Sequence, residues 1–341
     1  MIFKYARVAI LMASCWVTSA AYAVEVVVLD SVDNAISWLE SERWWGEEKH
    51  TEQLVAPRAL ITRIGTTWSE TSKSLPVSTK KEVFYRFLLP LIMHANVMVL
   101  ERRSQLEALS TKLDANEDLS PEDVRWLGDI AVVLRIIKAD EAPGLGGDAT
   151  EMKRVIDQAL YKLDVIPAGL ALGQAAYESG YGTSRFASAG NALFGQWTFG
   201  GTGLVPEQQR GDLGDHRIAA FEWPFDSVRG YFINLSSHPA YEEFRKIRAE
   251  LRKQGKPLNS LVLADGLVRY SERGQEYVDI LKSIIRVNKL SAADNAVFRD
   301  EPMKFLISAK SKADAARMRV DIETMRDSGE LQEIIQRMAL E

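Results

Sequence analysis

From Pro167 to Trp197 the chain reads PAGLALGQAAYESGYGTSRFASAGNALFGQW, and the first part of this stretch allows few settings in a folded protein. Pro167 suits the first turn of a helix, and no charged residue follows until Glu178. Leu170, Ala171, Gln174 and Glu178 fall on neighbouring rungs at three- and four-residue spacing. Ala168, Gly169, Ala171, Gly173, Ala175 and Ala176 are small enough to let other helices approach closely, so a buried central helix is expected. A carboxylate at the C-terminal end of such a helix meets the negative end of the helix dipole and apolar walls. Both disfavour ionisation, so the pKa of Glu178 should be raised. A carboxylic acid that keeps its proton near neutral pH can deliver it to a leaving oxygen, the task a glycosidic bond sets for a general acid. For an arbitrary helix the alternative is an exposed or salt-bridged terminal glutamate.

The remaining composition narrows the classes. The chain has 341 residues, 46% hydrophobic and 26% charged, enough for one large domain or two moderate ones. Residues 1–23 combine Lys4 and Arg7, the apolar stretch VAILMASCWV and the small-residue end AYA, which reads as a secretory signal cut before Val24. The apolar run is shorter than the roughly 20 residues of a spanning helix. MASC faintly resembles a lipoprotein box, but only Val8 to Leu11 would precede it as an apolar stretch. The single cysteine, Cys15, lies within the signal, so the mature chain is expected to have neither disulfides nor a cysteine nucleophile. Loss of Lys4 and Arg7 leaves 40 basic against 47 acidic residues, a net charge of −7. That balance argues against nucleic-acid binding, which needs a concentrated basic face. The glycines of GLGGD and FGGTG lack the strand, helix and lysine of a nucleotide loop and read as turns. His50, His94, His216 and His238 are widely spread without a ligand pair, so no metal and no cofactor are expected.

Along the chain the pattern is mainly helical, with no internal repeat. Trp38, Trp44, Trp45 and Trp68 lie among charges without a clean period and read as packing residues rather than a sugar platform. Lys80 to Leu113 carries an apolar stripe at helical spacing, one or two long helices bent near Pro90. LSPEDVRWLGDI opens another helix, with Ser120 as N-cap, Pro121 at the first position and Asp123 in the first turn. DEAPGLGGD is the clearest linker by composition. Residues 311–340 are charged and helix-prone, and their deletion is expected to leave activity intact.

The stretch AAYESGYGTSRFASAGNALFGQW closely resembles the glucosaminidase domain of the lysozyme superfamily, whose pattern is a helix ending in Glu-Ser, then Gly, aromatic, Gly, a hydroxyl residue and Gly-Asn-x-Leu-Phe-Gly. The segments FLLPLIMHANVMVLERR, LSPEDVRWL, DVIPAGLALGQAAYESGYGTSRFA and LFGQW, in this order, resemble Bax-type members of that family from about Lys80 to Leu290. The resemblance implies a mainly α, lysozyme-like domain with a small β-hairpin lobe, acting on peptidoglycan glycan strands in the periplasm. Four segments are expected: the signal 1–23, a helical N-terminal region 24–145, a catalytic domain 146–290 and a helical C-terminal extension 291–341. Residue by residue, Glu178 matches the catalytic glutamate, and Asn191, Phe194 and Trp197 lie on the cleft segment. HPAYEEFR resembles the first cleft tyrosine segment and implies Tyr241. YSERGQEYVDILKSII resembles the later one and implies Tyr270 and Tyr277, one residue further apart here than in the family pattern. A second catalytic carboxylate would come from the lobe, where Asp212 is favoured over Glu207 and Asp215. An N-acetylglucosamine substrate can instead use its own acetamido oxygen. A lytic transglycosylase is the nearest alternative, although NALFGQW stands where its Gly-Leu-Met-Gln-type stretch would be. A non-catalytic wall-binding or scaffold protein is the alternative of a different class. Because an acidic protein is repelled by a polyanionic wall, affinity would have to come from stacking in the cleft.

Overall fold

The computed structural model describes residues 25–45, 53–64, 66–198, 203–204 and 217–329. The chain opens with β1 (Glu25–Leu29), α1 (Val32–Ser41), β2 (Val55–Ala56), β3 (Ala59–Ile61), α2 (Thr66–Thr71) and the long α3 (Val77–Asp114). Then come α4 (Pro121–Val133), α5 (Ala149–Lys162), α6 (Ala168–Ser179) and α7 (Arg185–Gly190). The lobe strands β4 (Trp197–Thr198), β5 (Gly203–Leu204) and β6 (Arg217–Ala219) precede α8 (Pro224–Ser237), α9 (Glu242–Lys253), α10 (Ser260–Leu263) and α11 (Gln275–Val287). The described chain closes with β7 (Val297–Phe298), β8 (Lys304–Ser308) and α12 (Lys312–Ser328). The fold is mainly α, and its lobe is an antiparallel sheet of order β4-β6-β5.

Local chemistry accounts for the helix ends. Ser120 accepts from the Asp123 amide with Pro121 at the first position, as the LSPEDV signature requires. α3 is a single helix of 38 residues with Pro90 inside it. By length and composition it could cross a membrane, but 67% of its apolar window lies inside the fold. Its buried Leu88, Leu91 and Ile92 contribute about 1.5–3 kcal/mol each, which offsets the roughly 3 kcal/mol cost of an internal proline. The free carbonyls at the end of α5 are met by cations: Arg103 donates to Leu160 and Leu163, and Arg248 to Lys162 and Asp164.

α6 is the central helix, packed by α3, α10, α11 and the turn of residues 290–295. A Cβ on Gly169 would stand 2.4 Å from the Leu290 carbonyl oxygen, so only glycine permits this approach. Pro167, before the helix, has no capping side chain. Asp294 supplies the missing acceptor from 125 residues away: its carboxylate takes the Gly169 amide at 3.0 Å and the Ser260 amide at 2.9 Å, holding the starts of α6 and α10 together.

The two ends of the chain differ from the helical extensions expected of them. α1, α2 and α12 are helices, but β1, β8 and β3 form one parallel sheet in that order, with Glu25 opposite Lys304 and Ala59 opposite the same residue. β2 and β7 pair as well. The C-terminal strand β8 is therefore the middle strand between two N-terminal ones. Phe305 and Leu306 are buried, and Lys304 lies between Glu42 at 2.6 Å and Glu301 at 3.3 Å. α12 adds Ala315 and Ile322 to a small cluster with Val28 and Ala309. Of the N-terminal tryptophans, Trp38 and Trp44 are buried and Trp45 is partly buried, with the Arg86 guanidinium over both Trp44 and Trp45.

Candidate active site

Every residue of α6 is buried except the last pair before its closing serine, Tyr177 and Glu178, which are half-buried. The helix ends sharply there. Gly180, Tyr181 and Gly182 take left-handed backbone in succession, at φ 57°, 59° and 74°, and the Gly180 amide returns to the Ala176 carbonyl. For Tyr181 that conformation costs on the order of 1–3 kcal/mol and needs outside support. Phe84 and Tyr85 contact its ring edge-on, the Lys81 ammonium stands 5.4 Å from the ring centre, and the Trp68 indole donates to its carbonyl at 2.9 Å. Residues of the N-terminal region thus hold the turn that ends the site helix.

Glu178 lies against the segment that follows α7. Gly195 has φ 61°, and a Cβ there would come within 3.3 Å of the Glu178 Oε2 atom, so the backbone passes directly over the carboxyl. Burial raises the Glu178 pKa to about 7, and the Tyr277 hydroxyl, a hydrogen-bond partner, offsets part of that rise. Among the described residues, the titratable groups that feel its charge are Tyr231, Tyr241, Tyr270 and Tyr277, all held above the ordinary phenol range by burial first. The site therefore holds one carboxyl whose protonated form persists towards neutral pH, surrounded by neutral phenols. Such a group can donate a proton to a leaving oxygen at the pH where the protein works.

The structure brings Tyr241, Tyr270 and Tyr277 together as a continuous wall. Ring centres are 5.6 Å apart at each step, and the Tyr270 and Tyr277 rings lie within 7° of parallel. Tyr270 is partly buried and its hydroxyl donates to the Phe194 carbonyl at 3.0 Å. Tyr277 is fully buried and does not face solvent, and its hydroxyl takes a hydrogen bond from the Gln174 amide at 2.9 Å.

Two residues expected at the sugar are placed in the framework. Asn191 is buried, its oxygen accepting from the Ile64 amide at 3.0 Å and its nitrogen donating to the carbonyls of Phe221 and Glu222. With its amide engaged in this way, it clamps the lobe and the N-terminal region to the cleft strand. Phe194 is buried and stacked on Tyr231 at 4.0 Å, a core contact. Trp197 sits on β4 opposite Ile218. Asp212, Glu207 and Asp215 fall outside the described residues. Among the described residues, no group of three His, Cys, Asp or Glu side chains could hold a metal ion.

Sequence reasoning missed two participants. Tyr177 packs edge-on against Tyr277 at 5.4 Å, and its hydroxyl accepts from Arg273 at 3.3 Å. The adjacency of Tyr177 to Glu178 was the available signal.

Residues 154–290 match the family model described as glucosaminidase, mannosyl-glycoprotein endo-beta-N-acetylglucosaminidase. Protein bax of Escherichia coli (strain K12) is 29% identical over 211 residues, covering 62% of this chain and 70% of that protein. No solved structure matches the chain.

Proposed function

Since this chain is a Bax-type member of the glucosaminidase family, we propose that it hydrolyses the β-1,4 bond after N-acetylglucosamine in peptidoglycan glycan strands, with Glu178 as the general acid. The family is one of peptidoglycan-related glycoside hydrolases. One observation carries the finer reading: Glu178 and Tyr177 alone on α6 escape burial, and the Glu178 carboxyl keeps its proton up to about pH 7.

A glycan strand in the cleft would place a glycosidic oxygen against this carboxyl. Proton transfer from Glu178 to that oxygen lets the C1–O bond break, with positive charge developing on the sugar left behind. The carboxylate that remains is stabilised by the Tyr277 hydroxyl. Of the three tyrosines only Tyr270 is not buried, and it offers an aromatic edge or face to the apolar side of a pyranose ring, with the buried Tyr241 packed behind it. Asp212 in the lobe is the proposed base for the attacking water, and the substrate's acetamido oxygen is the other nucleophile open to it. Action on the wall requires export, for which residues 1–23 are the proposed signal. The N-terminal residue of the exported chain decides that point.

Mass spectrometry of purified sacculi digested with the mature protein tests the reaction. New reducing N-acetylglucosamine ends are expected. Anhydro-muramyl ends would instead identify a lytic transglycosylase.

A further inference from the structure

The segment that crosses Glu178 is held by α8 on both sides of Gly195. The Leu193 amide donates to the Ser227 hydroxyl at 3.0 Å. The Gln196 side chain closes on the same residue, accepting from the Ser227 hydroxyl at 3.0 Å and donating to the Ser227 carbonyl at 2.8 Å. The Phe194 ring is fixed by its stack on Tyr231. These contacts leave the peptide plane between Phe194 and Gly195 free to turn. Glycine takes either sign of φ with little penalty, so a peptide beside it turns over easily unless a group outside the segment holds it. Here Gly195 stands at φ 61°, with its backbone against the Glu178 Oε2 atom.

The outside contact comes from Tyr270, in the turn before α11. Its hydroxyl donates to the Phe194 carbonyl at 3.0 Å, across 76 residues of sequence. The ring that carries this hydroxyl lies between those of Tyr241 and Tyr277, 5.6 Å from each, so packing sets its direction. Phe194 is buried, and a carbonyl left without a donor there would carry the full cost of its lost hydration. We propose that Tyr270 is a positioning residue for Glu178: its hydroxyl latches the Phe194–Gly195 peptide, so that the Gly195 backbone stays over Oε2 and keeps water from that side of the carboxyl. The latch belongs to the hydroxyl, and contact with sugar belongs to the ring. Tyr270 keeps its hydrogen throughout, since the proton that moves to the glycosidic oxygen is the one on Glu178. This proposal rests on the reading of Glu178 as the general acid.

Cover over the carboxyl is open to measurement through pH. Burial is the largest cause of the raised Glu178 pKa. A general acid works below its pKa, so the alkaline limb of activity follows Glu178 and reports how well it is covered. Among the described residues, the titratable groups that feel its charge are Tyr231 on α8, Tyr241 before α9, Tyr270 before α11 and Tyr277 on α11, all neutral at pH 7. Of the charged groups around α6, Arg273 bonds to the Tyr177 hydroxyl, Lys81 of α3 lies over the Tyr181 ring, and Asp294 caps the opposite end of the helix. The variants below alter none of these three.

Tyr270→Phe keeps the ring and its two neighbours and removes only the latch. On purified glycan strands its kcat should fall roughly ten- to a hundredfold with KM unchanged, the scale of a small misplacement of a catalytic group. Its alkaline limb should move down by about one pH unit as water reaches the carboxyl, and carbon-13 titration of Glu178 in the same variant should show the same shift without reference to activity. Tyr270→Ala should in addition raise KM, because the ring is lost. Gly195→Ala tests the point from the other side and stands on its own if Tyr270→Phe does not fold. Its Cβ, 3.3 Å from Oε2 on a left-handed backbone, should push backbone and carboxyl apart, lowering kcat and the limb with Tyr270 intact. A merely structural hydroxyl predicts a lower melting temperature with kcat and limb unmoved, and a purely sugar-binding one predicts a raised KM at unchanged kcat. Either result from Tyr270→Phe overturns the proposal. Failure of the general-acid reading shows separately, as activity retained by Glu178→Gln, and leaves the titration shift of Tyr270→Phe in place.

Discussion

Glu178→Gln should lose glycan cleavage by 10²–10⁴-fold, the usual contribution of a general acid, while remaining folded. Glutamine keeps the shape of the side chain and can still pair with Tyr277, but it has no proton to give to the glycosidic oxygen. The stability of the variant should move the other way. The folded-state pKa of about 7 lies above the ordinary 4.5, so the carboxyl's favourable share of folding is complete below pH 4.5 and is lost as pH rises through 7. Above pH 7 the wild type should therefore be less stable than the glutamine variant by up to about 3 kcal/mol, a gap that opens between those two pH values. Thermal melts across this range, beside cleavage assays, read both effects. Asp212→Asn should cost a comparable amount of activity if Asp212 activates water, and less if the substrate acetamide is the nucleophile. Near-normal cleavage by folded Glu178→Gln would falsify the assignment of Glu178 as the general acid.

A chain ended at residue 290, where the family segment ends, should fail to fold, whereas one ended at residue 310 should fold and cleave. Ending at 290 removes Asp294, which caps α6 and α10, and with it β8, the strand on which β1 and β3 pair. Phe305 and Leu306 are worth about 1.5–3 kcal/mol each on burial, and the cap about 1 kcal/mol. Together these are comparable to the 5–15 kcal/mol that separates most folded domains from unfolding. Ending at 310 removes only α12 and its small cluster with Val28 and Ala309. Near-ultraviolet circular dichroism and denaturant melts of both truncations distinguish the cases. A cooperative melt from the shorter chain would show that the terminal sheet is dispensable.

The contrast between those truncations shows what a linear reading could reach. The helix of Pro167 to Ser179 was legible because small residues, periodicity and the terminal glutamate lie within one short stretch. The Ser120 cap was legible for the same reason, since cap chemistry is local, whereas the lobe was expected only through the family resemblance. The terminal sheet was not: β1 and β8 have five residues each and meet only across the whole length of the chain, so no period in either one names its partner. Asn191 and Phe194 share a segment with the site, yet the acceptors and rings that occupy them come from residues 64, 221, 222 and 231. Gln174 was placed on the rung of Glu178 by spacing alone, but its bond partners Tyr231 and Tyr277 lie 57 and 103 residues away.

The central claim is that burial holds the Glu178 carboxyl protonated up to about pH 7, and its own titration tests that most directly. In protein labelled with carbon-13 at the glutamate carboxyls, nuclear magnetic resonance follows each group through pH. One resonance should titrate at about 7, well above the ordinary 4.5, and should be missing from Glu178→Gln. If the resonance lost in that variant titrates at 4.5 or below, Glu178 is ionised at neutral pH and the general-acid account is contradicted.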